Sequence, residues 1–333
     1  MKQRLLKRYS AVEGGFSYVT AVVAFLVMTL IYSAVMGGLE EGTAGYDVVG
    51  FLLNTLIQFC FLIAALQPAR VLGSRHTYYF AKPRPRECLI AVGLTVVCVI
   101  GFDALAVAFT YVLKANGFAG GTIVSFDDPL GIVLSVFRIV LIAPVCEELL
   151  FRGSVLSSLG VTGNIPSRRR VSFMVVTCGL LFALIHMNPL QTVYQFMFGC
   201  ALAYVTVRFA NIIPAVIMHA LNNAIGFVLS IPAIDGALAV WVTSVMESSY
   251  GIAIWLIVGA VLAVLAAFII RFVGRKFGGH EPISPEPNET RPEEEKFHPS
   301  ADDGGTLAGL ILTSVGALIC IVMWVTTLVA GFV

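Results

Sequence analysis

Two adjacent carboxylates, Glu147 and Glu148, stand inside the otherwise apolar run Ala143, Pro144, Val145, Cys146, Glu147, Glu148, Leu149, Leu150, Phe151, which ends in Arg152 and Gly153. A charged side chain at a bilayer centre costs roughly 2.5 to 3.5 kcal/mol on insertion scales, so an embedded pair needs a partner or a chemical role. Neighbours on a helix point about 100° apart, whereas Glu148 and Arg152, four apart, share a face. Arg152 is therefore placed to hold Glu148 ionised. Glu147 is left as the freer carboxylate, suited to act as a general base on water.

Two of the five histidines also lie in apolar runs: His186 follows Phe182, Ala183, Leu184 and Ile185, and His219 precedes Ala220, Leu221, Asn222 and Asn223. His219 and Asn223 share a face and offer an imidazole and an amide to one point, a pair able to bind a metal, orient water or stabilise an oxyanion. A membrane histidine taken alone is by default a helix-to-helix hydrogen bonder. The two glutamates nearby turn the argument toward chemistry.

These residues must be positioned by membrane helices. The chain of 333 residues is 58% hydrophobic and 12% charged, against about 25% charged in a soluble domain. At about 20 apolar residues per crossing, the expected fold is all-α: a polytopic transmembrane helical bundle of about eight core spans plus a ninth C-terminal span. The spans run near 16–35, 48–72, 88–113, 129–159, 171–187, 189–210, 212–230, 250–273 and 306–328. Counted at 1.5 Å per residue from Val171, His186 lies about 22 Å along its span, while Glu147 and His219 count to mid-membrane.

With a cytoplasmic N-terminus, 19 of the 21 Lys and Arg fall on the cytoplasmic side, all but Lys114 and the embedded Arg138. That is the positive-inside pattern, and it predicts a multi-pass protein of the plasma membrane. The first apolar run is long and lacks a small-residue cleavage site, so it is read as a retained span. The chain divides into a cytoplasmic tail (1–15), a membrane-embedded core (16–278), a polar Pro- and Glu-rich cytoplasmic linker (279–305) and a C-terminal span (306–333).

Asp103 and Arg138 are expected to form a structural ion pair, and Asn54, Gln58, Gln191 and Gln195 interhelical hydrogen bonds. The seven cysteines lack clustered spacing, which argues against disulfides or a zinc knuckle. HExxH, GxSxG, Walker A and GxGxxG patterns are absent, and a net charge of +1 gives no bulk attraction to nucleic acid. The expected partners are a membrane-associated peptide or protein substrate and the bilayer, not nucleic acid or nucleotides.

The order Glu147, Glu148, Phe151, Arg152, Gly153, then Phe182 four positions before His186, then His219 four positions before Asn223, resembles the CPBP family of CAAX proteases and bacteriocin-processing enzymes, also called the abortive-infection (Abi) family. The three motifs fall within residues 132–230. The resemblance implies an intramembrane endopeptidase with a site of Glu147, Glu148, Arg152, His186, His219 and Asn223. It would cut a prenylated or leader-bearing substrate with water activated by Glu147. Metal dependence is left open; zinc is the candidate, with His186, His219, Asn223 and Glu147 as candidate ligands. The alternatives on the same fold are a non-catalytic scaffold or a bacteriocin self-immunity factor. A proton-coupled transporter is a third reading, disfavoured because no internal repeat is visible.

Overall fold

The computed structural model describes residues 10–71, 83–119, 129–159, 168–248, 250–278 and 303–332. The linker expected at 279–305 lies almost wholly outside the described residues, as does most of the N-terminal tail. The described residues form ten helices: α1 (Ala11–Met36), α2 (Ala44–Val71), α3 (Pro85–Ala115), α4 (Pro129–Leu159), α5 (Arg168–Ile185), α6 (Pro189–Phe209), α7 (Ile213–Leu229), α8 (Pro232–Met246), α9 (Gly251–Phe277) and α10 (Asp303–Ala330). The protein is all-helical. Seven helices are long and apolar enough to cross a membrane, and α7 with most of α8 passes that test as one pair bent by 81°. The composition and these helices make it a multi-pass membrane protein. Helix α8, between the spans expected at 212–230 and 250–273, begins at Pro232, whose ring presets the first helical turn.

Large apolar side chains such as Leu30, Leu89 and Val133 stay exposed along the helices, as expected where lipid is the solvent. The interior is built by close approaches at small residues. A Cβ on Gly199 of α6 would lie 2.9 Å from the Phe182 ring and 3.1 Å from the Cα of Gly179 on α5, so that crossing admits only glycine-sized residues. The C-terminal helix α10 packs along α1: Tyr18 donates from its hydroxyl to the Leu181 carbonyl at 3.2 Å and lies 3.6 Å from the Cys320 sulfur. Trp324 donates to the Thr192 hydroxyl at 2.7 Å, tying α10 to α6.

Helix α4 is not regular. It is π-helical over Phe137–Ile142 and again over Leu149–Val155, so the Ala143–Glu148 turn that carries both glutamates is flanked by widened turns. Such segments concentrate at functional sites because they re-aim side chains within a continuous helix. Two tight reversals set the ends of α6. Asn188 caps its start by accepting from the Leu190 amide at 3.0 Å, after Met187 with φ 48°. Ala210 ends it at φ 47°, and Asn211 accepts from the Ile213 amide at 3.0 Å to start α7.

Two expectations are corrected here. Asp103 and Arg138 do not pair: the ion pairs among the described residues are Arg84–Glu87, Arg152–Glu148 and those of His219. The helices are not neighbours there: α3 packs on α6, α7 and α9, whereas the Phe137–Ile142 segment that carries Arg138 packs on α2 and α7. Asn54 bonds the Gly50 carbonyl of its own helix at 2.8 Å, because for a short amide the carbonyl one turn back is the nearest acceptor. Gln58 and Gln195 each bury an Oε1 with no hydrogen bond among the described residues.

Candidate active site

Glu148 is fully buried and its Oε1 accepts two donors, Nη1 of Arg152 at 2.9 Å and Nδ1 of His219 at 2.8 Å. The first is the same-face pair that the four-residue spacing dictates. Arg152 uses its other terminal nitrogen on the Gly199 carbonyl at 2.9 Å, so one guanidinium joins α4 to α6 and, through Glu148, to α7. The Cζ of that guanidinium lies 4.6 Å from the Phe182 ring centroid, a cation–π contact in a desolvated setting. The Gly199 carbonyl carries no side-chain signature in the sequence. The glycine itself was the available signal, since only a close helix crossing exposes a backbone carbonyl to a neighbour's arginine.

His219 is held on three sides. Its ring meets Phe182 and Phe198 edge-on, with centroids 5.7 and 5.9 Å away. Its Nδ1 faces a carboxylate and carries the hydrogen, which turns Nε2 toward Glu147, 3.9 Å from Oε2. Glu147 is also buried, and that Oε2 makes no hydrogen bond among the described residues. The two adjacent carboxylates thus differ as their azimuths require. Each glutamate keeps an Oε2 without a hydrogen bond among the described residues, but the Oε1 of Glu148 is taken by two donors, whereas the unbonded Oε2 of Glu147 faces the His219 imidazole.

His186 follows the last residue of α5, and its ring folds back along the helix. Its Nδ1 lies 2.7 Å from the Phe182 carbonyl and its ring centroid 4.9 Å from that of Phe182. Side chains on helices lean toward the N-terminus, which draws His186 back toward the depth of Glu147 and His219. With Nδ1 donating to a carbonyl, Nε2 is the nitrogen left for other work.

Asn223 does not stand simply beside His219. Its Nδ2 donates to the Ile139 carbonyl of α4 at 2.9 Å. The sequence explains that acceptor. Within the first π segment the Arg138 carbonyl takes the Ala143 amide, five residues on. The next partner in that ladder, for Ile139, is position 144, a proline with no N–H. Asn223 supplies the missing donor, and one of its two amide hydrogens remains. Its neighbour Asn222 accepts from the Tyr194 hydroxyl and lies 3.5 Å from Asn223 Oδ1, extending the polar chain to α6.

As a metal centre the candidate ligands do not fit. Among the described residues no group of three His, Cys, Asp or Glu side chains converges as a metal would require.

Five of the six site residues lie on α4 and α7 and the sixth, His186, directly follows α5; the comparison with protein families falls on the same stretch. Residues 129–225 match the family model of type II CAAX prenyl endopeptidases, Rce1-like. This Rce1-like match agrees with the CPBP resemblance. It runs from the first residue of α4 to just beyond Asn223, and its family is one of endopeptidases. No curated protein and no solved structure matches the chain.

Proposed function

We propose that the protein is an intramembrane CAAX-type endopeptidase that hydrolyses a peptide bond near the end of a membrane-associated, prenylated substrate, with Glu147 as the base. The observation that carries this is the pairing of Glu147, whose Oε2 is free of hydrogen bonds, with a His219 whose tautomer Glu148 fixes. In this reading Glu147 takes a proton from water as the water oxygen attacks the scissile carbonyl. It returns that proton to the leaving nitrogen as the C–N bond breaks, giving a new carboxylate and a peptide with a free amine. His186 Nε2 accepts a hydrogen bond that orients the water. The remaining amide hydrogen of Asn223 donates to the oxyanion, and His219, held by Glu148, keeps its ring against Glu147. The apolar surroundings strengthen each of these interactions. Arg152 steadies Glu148 and stays clear of the chemistry. The positive-inside pattern supports a cytoplasmic N-terminus in the plasma membrane.

The test is cleavage of farnesylated CAAX peptides by the detergent-purified protein, followed by mass spectrometry, for wild type and Glu147→Gln. Fragments from wild type, lost in a variant that melts like wild type, are expected. Equal fragments from both would overturn the role of Glu147. Absence of cleavage from any lipidated or leader-type peptide would favour a non-catalytic scaffold.

A further inference from the structure

Arg138 is a charged residue within a span that the proposed chemistry leaves unused. It is half-buried in a span, and its guanidinium makes no hydrogen bond or ion pair among the described residues. Arginines within membrane segments pair with an anion or mark a substrate path. The ionisable groups near Arg138 are Tyr32 on α1 and Glu147 itself. It also sits at the start of the first π segment, whose carbonyl ladder Asn223 completes. An uncommitted guanidinium therefore lies on the helix that carries the proposed base, beyond it toward the start of α4.

We propose that Arg138 binds the C-terminal carboxylate of the substrate, so that the protein selects peptides with a free C-terminus a short distance from the scissile bond. This rests on the peptidase reading above. A C-a-a-X tail ends three residues after the lipidated cysteine. Three extended residues place the carboxylate about 10 Å from the scissile carbonyl. Arg138 precedes Glu147 by nine residues, roughly 13 Å along the axis at 1.5 Å per residue, and less where the turns are π-helical. Glu147, leaning toward the N-terminus as helical side chains do, shortens the span further. A tail entering carboxylate-first would pass Glu147 and stop at Arg138, whose planar fork suits a bidentate carboxylate. The two carboxylates, substrate and Glu147, would then sit on either side of one cation.

The test separates this site from the cleavage reaction. Binding of a Val-Ile-Met tripeptide, as free acid and as C-terminal carboxamide, is measured by calorimetry on the Glu147→Gln protein in detergent. The acid should bind about 10- to 100-fold more tightly than the amide, the range for a desolvated charge-assisted hydrogen bond. Adding Arg138→Gln should reduce that ratio to near one, and Arg138→Lys should leave an intermediate value. Equal binding of acid and amide, a preference that survives Arg138→Gln, or no binding of either peptide would each overturn the proposal, provided the variants melt like their parent. Farnesylated substrates ending in acid or amide complete the test in the wild-type protein. Cleavage of both at equal kcat/KM would remove the carboxylate site and leave the peptidase standing. Arg138-dependent binding of the acid with no cleavage of any substrate would do the reverse.

Discussion

The Nδ1 of His219 and the Nη1 of Arg152 meet on a single oxygen of Glu148, at 2.8 and 2.9 Å. Helices α4 and α7 meet at that atom, and Arg152 ties in α6 through the Gly199 carbonyl. The relationship divides two chemically identical residues. Glu148 orients an imidazole and holds the bundle together, while Glu147 keeps an oxygen for reaction.

That division predicts different losses for the same substitution. Glu147→Gln should lower kcat by about 10²- to 10⁴-fold, the usual contribution of a general base, with a melting temperature unchanged or higher, because a desolvated charge is removed. Glu148→Gln should lower activity and also cost about 3 to 5 kcal/mol of stability, since Arg152 would be left buried without its counter-charge. Circular dichroism melts in detergent beside the cleavage assay would check both; a Glu148→Gln protein as stable as wild type would contradict the assignment.

Arg152→Lys should fail almost as fully as Arg152→Met. The guanidinium fork spans Glu148 on its own helix and Gly199 on α6, and a single ammonium cannot satisfy both acceptors along those directions. The expected cost is about 1 to 3 kcal/mol for the carbonyl left unsatisfied. Recovery of wild-type stability by lysine would show that charge alone suffices.

The sequence made legible what depends on one helix at a time. Embedded carboxylates, the four-residue step from Glu148 to Arg152 and the apolar spans all follow from periodicity and from the penalty on charge in lipid. Contacts between helices were legible only where a residue type forces them. The Asp103 and Arg138 pairing follows from depth alone, and the structure separates them because α3 packs on α6, α7 and α9 and the first π segment of α4 on α2 and α7, which depth does not reveal. The Gly199 carbonyl and the π segments of α4 are backbone features with no side chain to announce them, although Pro144 marks one of them by its missing N–H.

Since the described His, Cys, Asp and Glu side chains do not converge as a metal centre, activity should survive exhaustive dialysis against a chelator. Loss of cleavage on dialysis, restored by stoichiometric zinc, would sink this prediction and require His186 and His219 to move together.

The hydrogen bond from Asn223 to Ile139 gives a prediction that a purely catalytic asparagine does not make. Asn223→Ala should destabilise the protein by about 1 to 3 kcal/mol, because the Ile139 carbonyl loses the donor that Pro144 cannot provide. Pro144→Ala restores an N–H at the position the π ladder calls for, so the double variant should regain most of that stability while staying inactive if the second amide hydrogen serves the oxyanion. Melting of the two single variants and the double variant forms a closed cycle, in which the coupling should be about 0.5 to 3 kcal/mol, as for groups in one network. Strict additivity would mean that Asn223 supports α4 by packing and not by this bond.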